Sequence, residues 1–171
     1  MLANWLYKKT ETLPCRLISR DGAPYLERYY VGQLFGVTVY LHRFVGCDGD
    51  PELHDHPWNA LSIVLSGSYI ELRGRLDGDV GIAKRRVMVK FWNWISADSM
   101  HRITSCEPET WTLFMHRPRV KGWGFFVEQF PGLKVCYKPF DTRPFASWWD
   151  VAPIGRDAGR EPLMKLHWSS R

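Results

Sequence analysis

Most segments of this chain that are rich in apolar residues are short and alternate with a period of two. "APYLERYYVG" (residues 23–32) and "LFGVTVYLHRFV" (34–45) are rich in β-branched and aromatic residues. "ALSIVLSGSYIELRG" (60–74) reads as one strand or two, bent near Gly67. "GRLDGDVG" then supplies a turn, because its Asp-Gly and Gly-Asp steps tolerate the positive φ a hairpin requires. "IAKRRVMVKFWNWI", "MHRITS", "TWTLFMHRPR", "WGFFVEQF" and "KVCYKPF" continue a series of roughly eight or nine short strands. Helix signals are confined to the first dozen residues and to the region around Phe145 to Asp150. Regularly spaced strands in a chain of 171 residues predict an all-β antiparallel barrel or sandwich, for instance a jelly roll.

The length suits one domain with a real core. The expected organisation is a single domain over 1–171, with a barrel core from about 23 to 140 and a C-terminal extension from about 141 to 171. That extension is rich in Pro, Gly and Arg, and is expected to pack a Trp-bearing segment over the outside before loosening. Aromatics reach 15%, with 9 Trp, 7 Tyr and 9 Phe, which suits pleated faces and lined cavities.

The net charge of +5 permits anionic ligands without requiring them. The densest basic cluster, "KRRVMVK", alternates like a strand, so a solvated sheet face is favoured over nucleic-acid binding. The four cysteines, Cys15, Cys47, Cys106 and Cys136, have no paired spacing, which argues against a disulfide framework or a thiolate zinc site. The N-terminus lacks a secretory apolar core and no stretch approaches a membrane span, so the expected location is cytoplasmic.

The chemistry sits in "PELHDHPWNALSIVLSG". On a strand, residues i and i+2 share a side, so His54 and His56 aim both imidazoles at one point while Asp55 faces away. Gly67 closes the apolar strand eleven positions after His56, and His101 opens another strand 45 positions after it. Strands that far apart in an antiparallel barrel can be neighbours, so a third imidazole completes a facial set. Three neutral histidines with open positions suit one divalent metal: Fe(II), Zn(II), Ni(II), Mn(II) or Cu(II). An open position lets a small-molecule substrate or O₂ bind directly.

These stretches resemble the two motifs of the cupin superfamily. In "GDPELHDHPWNALSIVLSG" the residues in register are His54, His56 and Gly67; in "SADSMHRITS" it is His101. The resemblance spans about Leu34 to Phe126 and implies a small β-barrel with a metal inside. The chain departs from the motifs where their glutamate falls at Ala60, and where Asp98 and Ser105 replace a glycine and an asparagine. Cupin centres with three histidines and no glutamate are similar to those of thiol dioxygenases, and "HDH", "MHRI" and "TLFMHRP" look like the cysteine dioxygenase pattern. That resemblance implies Fe(II) as the metal and dioxygenase-like oxidation of a small polar metabolite.

Other residues are candidates for catalysis or substrate orientation. Tyr69 and Glu71 alternate to one face and can line the cavity or pack outside it. Arg43 and Arg73 are the candidates for binding a substrate carboxylate, since alternation turns Arg102 away from the metal. His116 is a candidate acid/base group, and Asp98 a candidate ligand or partner of His101. His42 is expected to be packed, and Trp58 to wall the mouth of the cavity, although Pro57 weakens the alternation there. Trp111, Trp123 and Phe125 are expected in the core. The rival classes are a non-oxidative cupin isomerase, epimerase or lyase, and a metal-stabilised module binding nucleic acid or protein. A hydrolytic zinc site lacks the adjacent helical glutamate it would need. Pairing of two chains through sheet edges, giving a homodimer, is compatible with the pattern.

Overall fold

The period-two pattern organises the whole computed structural model, which describes residues 1–20, 22–46, 51–78, 81–129, 134–140 and 147–163. Among them run one α-helix, α1 (Leu2–Lys9), and twelve strands. The strands are β1 (Cys15–Arg20), β2 (Ala23–Leu34), β3 (Val37–Phe44), β4 (Leu53–His54), β5 (Ala60–Ser66) and β6 (Tyr69–Asp77). They continue with β7 (Gly81–Val89), β8 (Trp92–Ile95), β9 (Met100–Cys106), β10 (Thr110–His116), β11 (Gly124–Gln129) and β12 (Lys134–Pro139). Two six-stranded antiparallel sheets result, in the orders β1-β2-β3-β10-β5-β8 and β12-β11-β4-β9-β6-β7. The fold is all-β with little helix, as the strand spacing predicts.

The strands outnumber those expected for three physical reasons. Cys15–Arg20 places Leu17 beside Ile18, and a bulge between Ile18 and Ser19 breaks the alternation that would have marked it as a strand. The run from Ile82 to Ile95 is two strands, because Lys90 and Phe91 carry the chain from the edge of one sheet to the edge of the other. "ALSIVLSGSYIELRG" is likewise two strands, parted at Gly67, whose φ of 72° lies in the left-handed region. A Cβ at Gly67 would lie 2.9 Å from Thr110 Cα, so β5 and β10 can approach there only around a glycine.

The first sheet carries buried clusters on both faces. Its inner face contributes Tyr40, Ala60, Ile95 and Phe114, and the buried Trp148 packs on that cluster. The Trp-bearing C-terminal segment therefore enters the core rather than merely covering it. The outer face carries Tyr29 and Trp111, stacked with ring centroids 5.9 Å apart, beneath Leu6 of α1 and Cys15. Burying Leu6 contributes about 1.5–3 kcal/mol, which is what holds so short a helix in place.

Arg43 belongs to this outer face. Its guanidinium donates to Glu27 at 3.2 Å, to Glu109 at 2.7 and 2.9 Å, and to the carbonyl oxygens of Glu161 and Pro162 at 2.6 and 3.1 Å. Glu27 in turn accepts from the Tyr29 hydroxyl at 2.6 Å and the Glu161 amide at 2.8 Å. This buried network fastens the C-terminal segment to the barrel. The last eight residues of the tail, like Cys47, lie outside the described residues.

Candidate metal centre

β4 is only two residues long, yet it sets the geometry of the centre. It lies between β9 and β11, with His54 paired across the ladder to His101 and to Phe125. Asp55 turns outward, as alternation requires, and becomes an anchor. It accepts from the Gly124 amide at 2.7 Å, from Lys121 Nζ at 2.7 Å and from the Tyr137 hydroxyl at 3.3 Å. That anchor fixes the backbone from which His54 and His56 reach into the barrel.

The three imidazoles converge. Ring centroids are 5.1 Å apart for His54 and His56, 5.3 Å for His54 and His101, and 4.9 Å for His56 and His101. One nitrogen from each lies within 4.8 Å of the other two, and the Nε2 atoms of His56 and His101 are 2.7 Å apart. His54 Nδ1 is buried without a hydrogen-bond partner among the described residues. A buried ring nitrogen left unpaired is costly in the protein alone, and a cation can satisfy it.

Burial pushes the His54 imidazole down to about 3, reinforced by His101 and opposed by Glu71. Burial, then the neighbouring His101 and His54, hold His56 well below the usual histidine range. Both are neutral at pH 7, the form that ligates a metal.

Glu71, on β6, is the partner of His101. Its carboxylate hydrogen-bonds His101 Nδ1, which leaves Nε2 aimed at the centre. Arg73 Nε donates to Glu71 at 2.7 Å, and Asn93 Nδ2 donates to both carboxylate oxygens at 3.1 Å. Burial raises the pKa of Glu71, but the hydrogen bonds from His101 and Arg73 outweigh it and hold the group below the ordinary carboxylate value. Neutral ring donors, a carboxylate behind one ligand and an orphaned nitrogen on another fit a divalent metal.

The centre opens into a cavity of about 130 Å³. Trp58 stacks on His56 with centroids 4.4 Å apart, and so walls the cavity. Tyr69 lines it too. Burial pushes its phenol up to about 12, and Asn93 donates to its oxygen at 3.2 Å. Trp111 lies in the outer core as expected, whereas Phe125 is half-buried against the edge of His54.

Four expected roles need correction. Arg43 faces away from the cavity, in the ion-pair network described above, since its neighbours His42 and Phe44 take the inward positions of β3. Arg73 does not line the cavity either; it stands behind Glu71 and positions it. His116 stacks between Trp58 at 4.9 Å and Tyr40 at 5.6 Å, donates to the Arg117 carbonyl oxygen, and is screened from the metal ligands by Trp58. The Asp98 side chain is 89% exposed and paired with Lys121 at 3.1 Å, so Glu71 takes the place expected for it beside His101.

Arg28 and Arg102 both line the cavity, and the one beside His42 is Arg28. It is half-buried on β2, donates from Nε to His42 Nε2 at 3.1 Å, and lies 5.3 Å from the Tyr40 ring centroid. Burial lowers its pKa, and no carboxylate pairs with it among the described residues. Burial, then the Arg28 charge, hold His42 well below its usual range. Arg28 could not be found by alternation alone, because its place depends on the register Arg28↔His42 between β2 and β3. Asn93 was hidden similarly, between two exposed tryptophans.

No protein-family model matches the sequence, and no curated protein matches it. Solved structures resemble it in fold. HEPD of Streptomyces albus, with 2-hydroxyethylphosphonate and Fe(II) bound, aligns over 61% of this chain at 14% identity and a TM-score of 0.46. Fe(II)-HppE with (S)-1-HPP aligns over 64% at 12% identity and a TM-score of 0.46, and KdgF of a Halomonas species over 61% at 18% and 0.40. The chain spans 24% of the HEPD chain, 57% of the HppE chain and 94% of the KdgF chain. Fold and site together define a small protein of two six-stranded antiparallel sheets with a three-histidine candidate metal centre.

Proposed function

We propose that the protein is a mononuclear metal enzyme that oxidises a small anionic metabolite with O₂, using Fe(II) held by His54, His56 and His101. The observation that carries this reading is the meeting, in one cavity, of three convergent imidazoles and a guanidinium with no carboxylate partner among the described residues. A bound divalent iron would supply adjacent coordination positions for substrate and O₂. The chain's own residues do the rest. Arg28 receives the substrate's anionic group as a charged partner for its half-buried guanidinium. Trp58 and Phe44 exclude water from one side of the cavity. Glu71 fixes the tautomer of His101, and Arg73 and Asn93 fix Glu71. Tyr69 presents a protonated phenol to the cavity and can donate to an oxygen atom of the substrate.

The same three-histidine set suits a second reading, a lyase or isomerase in which the metal would act as a Lewis acid on the substrate. Oxygen consumption separates the two. The Fe(II)-loaded protein is expected to consume O₂ with one or more members of a panel of small carboxylates, phosphates and phosphonates. Turnover of a panel member without O₂ uptake would replace the first reading by the second.

A further inference from the structure

A groove at the open edge of the barrel is not used by the metal centre. β7 is the last strand of one sheet and β8 the last strand of the other, and Lys90 and Phe91 join them. The groove between them has a volume of about 440 Å³ and is lined by Arg73, Val87, Lys90, Trp92, Asn93 and Trp94, among others. Large apolar side chains stand in solvent here: Phe91 is 77% exposed, Trp92 67%, Met88 56% and Trp94 54%. Such a concentration along one short stretch marks a binding surface. Trp92 and Trp94 lie on the same side of β8, with the buried Asn93 between them on the other.

The charge of the groove is one-sided. Arg73 uses Nε and Nη2 on Glu71 and Asn93, while its Nη1 makes no hydrogen bond among the described residues. Lys90 is exposed, and the lining holds these two cations and no carboxylate. A second copy of the chain is a poor occupant. β7 presents Lys84, Arg85 and Arg86 to solvent, and antiparallel self-pairing would set basic residues against basic residues.

We propose that this groove is a second ligand site, which takes a small anion carrying a flat aromatic ring. The ring lies against Trp92 and Trp94, and the anionic group reaches Arg73 Nη1 and Lys90. The site communicates with the metal centre. The same Arg73 guanidinium holds Glu71, and Glu71 holds His101, so an anion drawn onto Nη1 alters the charge that positions a metal ligand. This last clause alone rests on the proposed metal site.

The test uses 8-anilinonaphthalene-1-sulfonate as an aromatic anion, and Co(II) as the metal, with the full chain. Saturable fluorescence enhancement is expected for the native protein and for His54→Ala. Trp92→Ala and Lys90→Glu change exposed positions, so the thermal midpoint should hold while the dissociation constant rises about tenfold. Saturating probe should also shift the Co(II) affinity of the native chain, and not that of Trp92→Ala. Equal probe binding by the native protein and both variants would overturn the site. Probe binding in the groove with unchanged Co(II) affinity would overturn the coupling. A chain that binds the probe in the groove but no Co(II) would overturn the coupling and the metal reading while leaving the groove established.

Discussion

The Glu71 carboxylate hydrogen-bonds Nδ1 of His101, and this pair joins the metal centre to the rest of the barrel. It is a buried carboxylate–imidazole pair in which the carboxylate sets the tautomer of the ligand. Glu71→Gln keeps the shape and removes the charge. The variant should fold and lose about tenfold to hundredfold in divalent-metal affinity. Competition with a chromogenic chelator measures this; undiminished affinity would mean that Glu71 does not orient His101.

Arg28 and Arg43 should respond oppositely to the same substitution. Arg43→Met removes the guanidinium that Glu27 and Glu109 share in the outer network and should cost about 3–5 kcal/mol of stability. Arg28→Met removes a half-buried cation that no carboxylate among the described residues balances, so its thermal midpoint should be unchanged or higher. The same variant should bind small carboxylates or phosphonates more weakly by about 1.5–3 kcal/mol, the contribution of a charged hydrogen bond. Equal destabilisation by both substitutions would show that Arg28 is structural.

The metal-free protein should weaken in mild acid. His42, His54 and His56 stay neutral in the fold, chiefly through burial, while in the unfolded chain they take up protons as pH falls through the ordinary value of 6.5. The unfolded state then binds more protons than the folded one, so stability declines as pH falls below that value. Each group adds a slope of about 1.4 kcal/mol per pH unit. Urea unfolding of chelator-treated protein at a series of pH values measures the slope, and His42→Asn should reduce it by one proton's worth. A flat profile through this range would contradict the neutral assignment.

Gly67→Ala should destabilise the barrel without touching the centre. The position has φ of 72°, and the added Cβ would crowd the Thr110 backbone. The left-handed conformation costs about 1–3 kcal/mol for a residue with a Cβ, and the contact with β10 adds to it. Chemical denaturation measures the loss; a variant as stable as the native chain would show that β5 and β10 can separate there.

What could be read from the chain alone followed local periodicity. The strand runs, the break at Gly67, and the placing of His54, His56 and His101 on inward positions all depend on side-chain alternation within one segment. The arginines failed that test because their roles are set between segments. Arg43 and His42 are neighbours on β3, and only the pairing of β3 with β2 brings Arg28, not Arg43, to the cavity. Glu71 was legible as a residue able to face inward. Its contact with His101 follows from a bulge between Ile70 and Glu71 that shifts β6 against β9. Such a shift leaves no mark in a single strand's pattern. Ala60, where the cupin motif has its glutamate, packs in the inner core near Trp148, so a carboxylate arrives beside the histidines from another strand.

The most direct test of the central claim is the stoichiometry of Fe(II) binding under anaerobic conditions, followed by elemental analysis after gel filtration. The native chain should retain one equivalent of iron, and His54→Ala and His101→Ala, folded by circular dichroism, should retain almost none. Equal iron in the native protein and both variants would contradict the three-histidine centre and the function built on it.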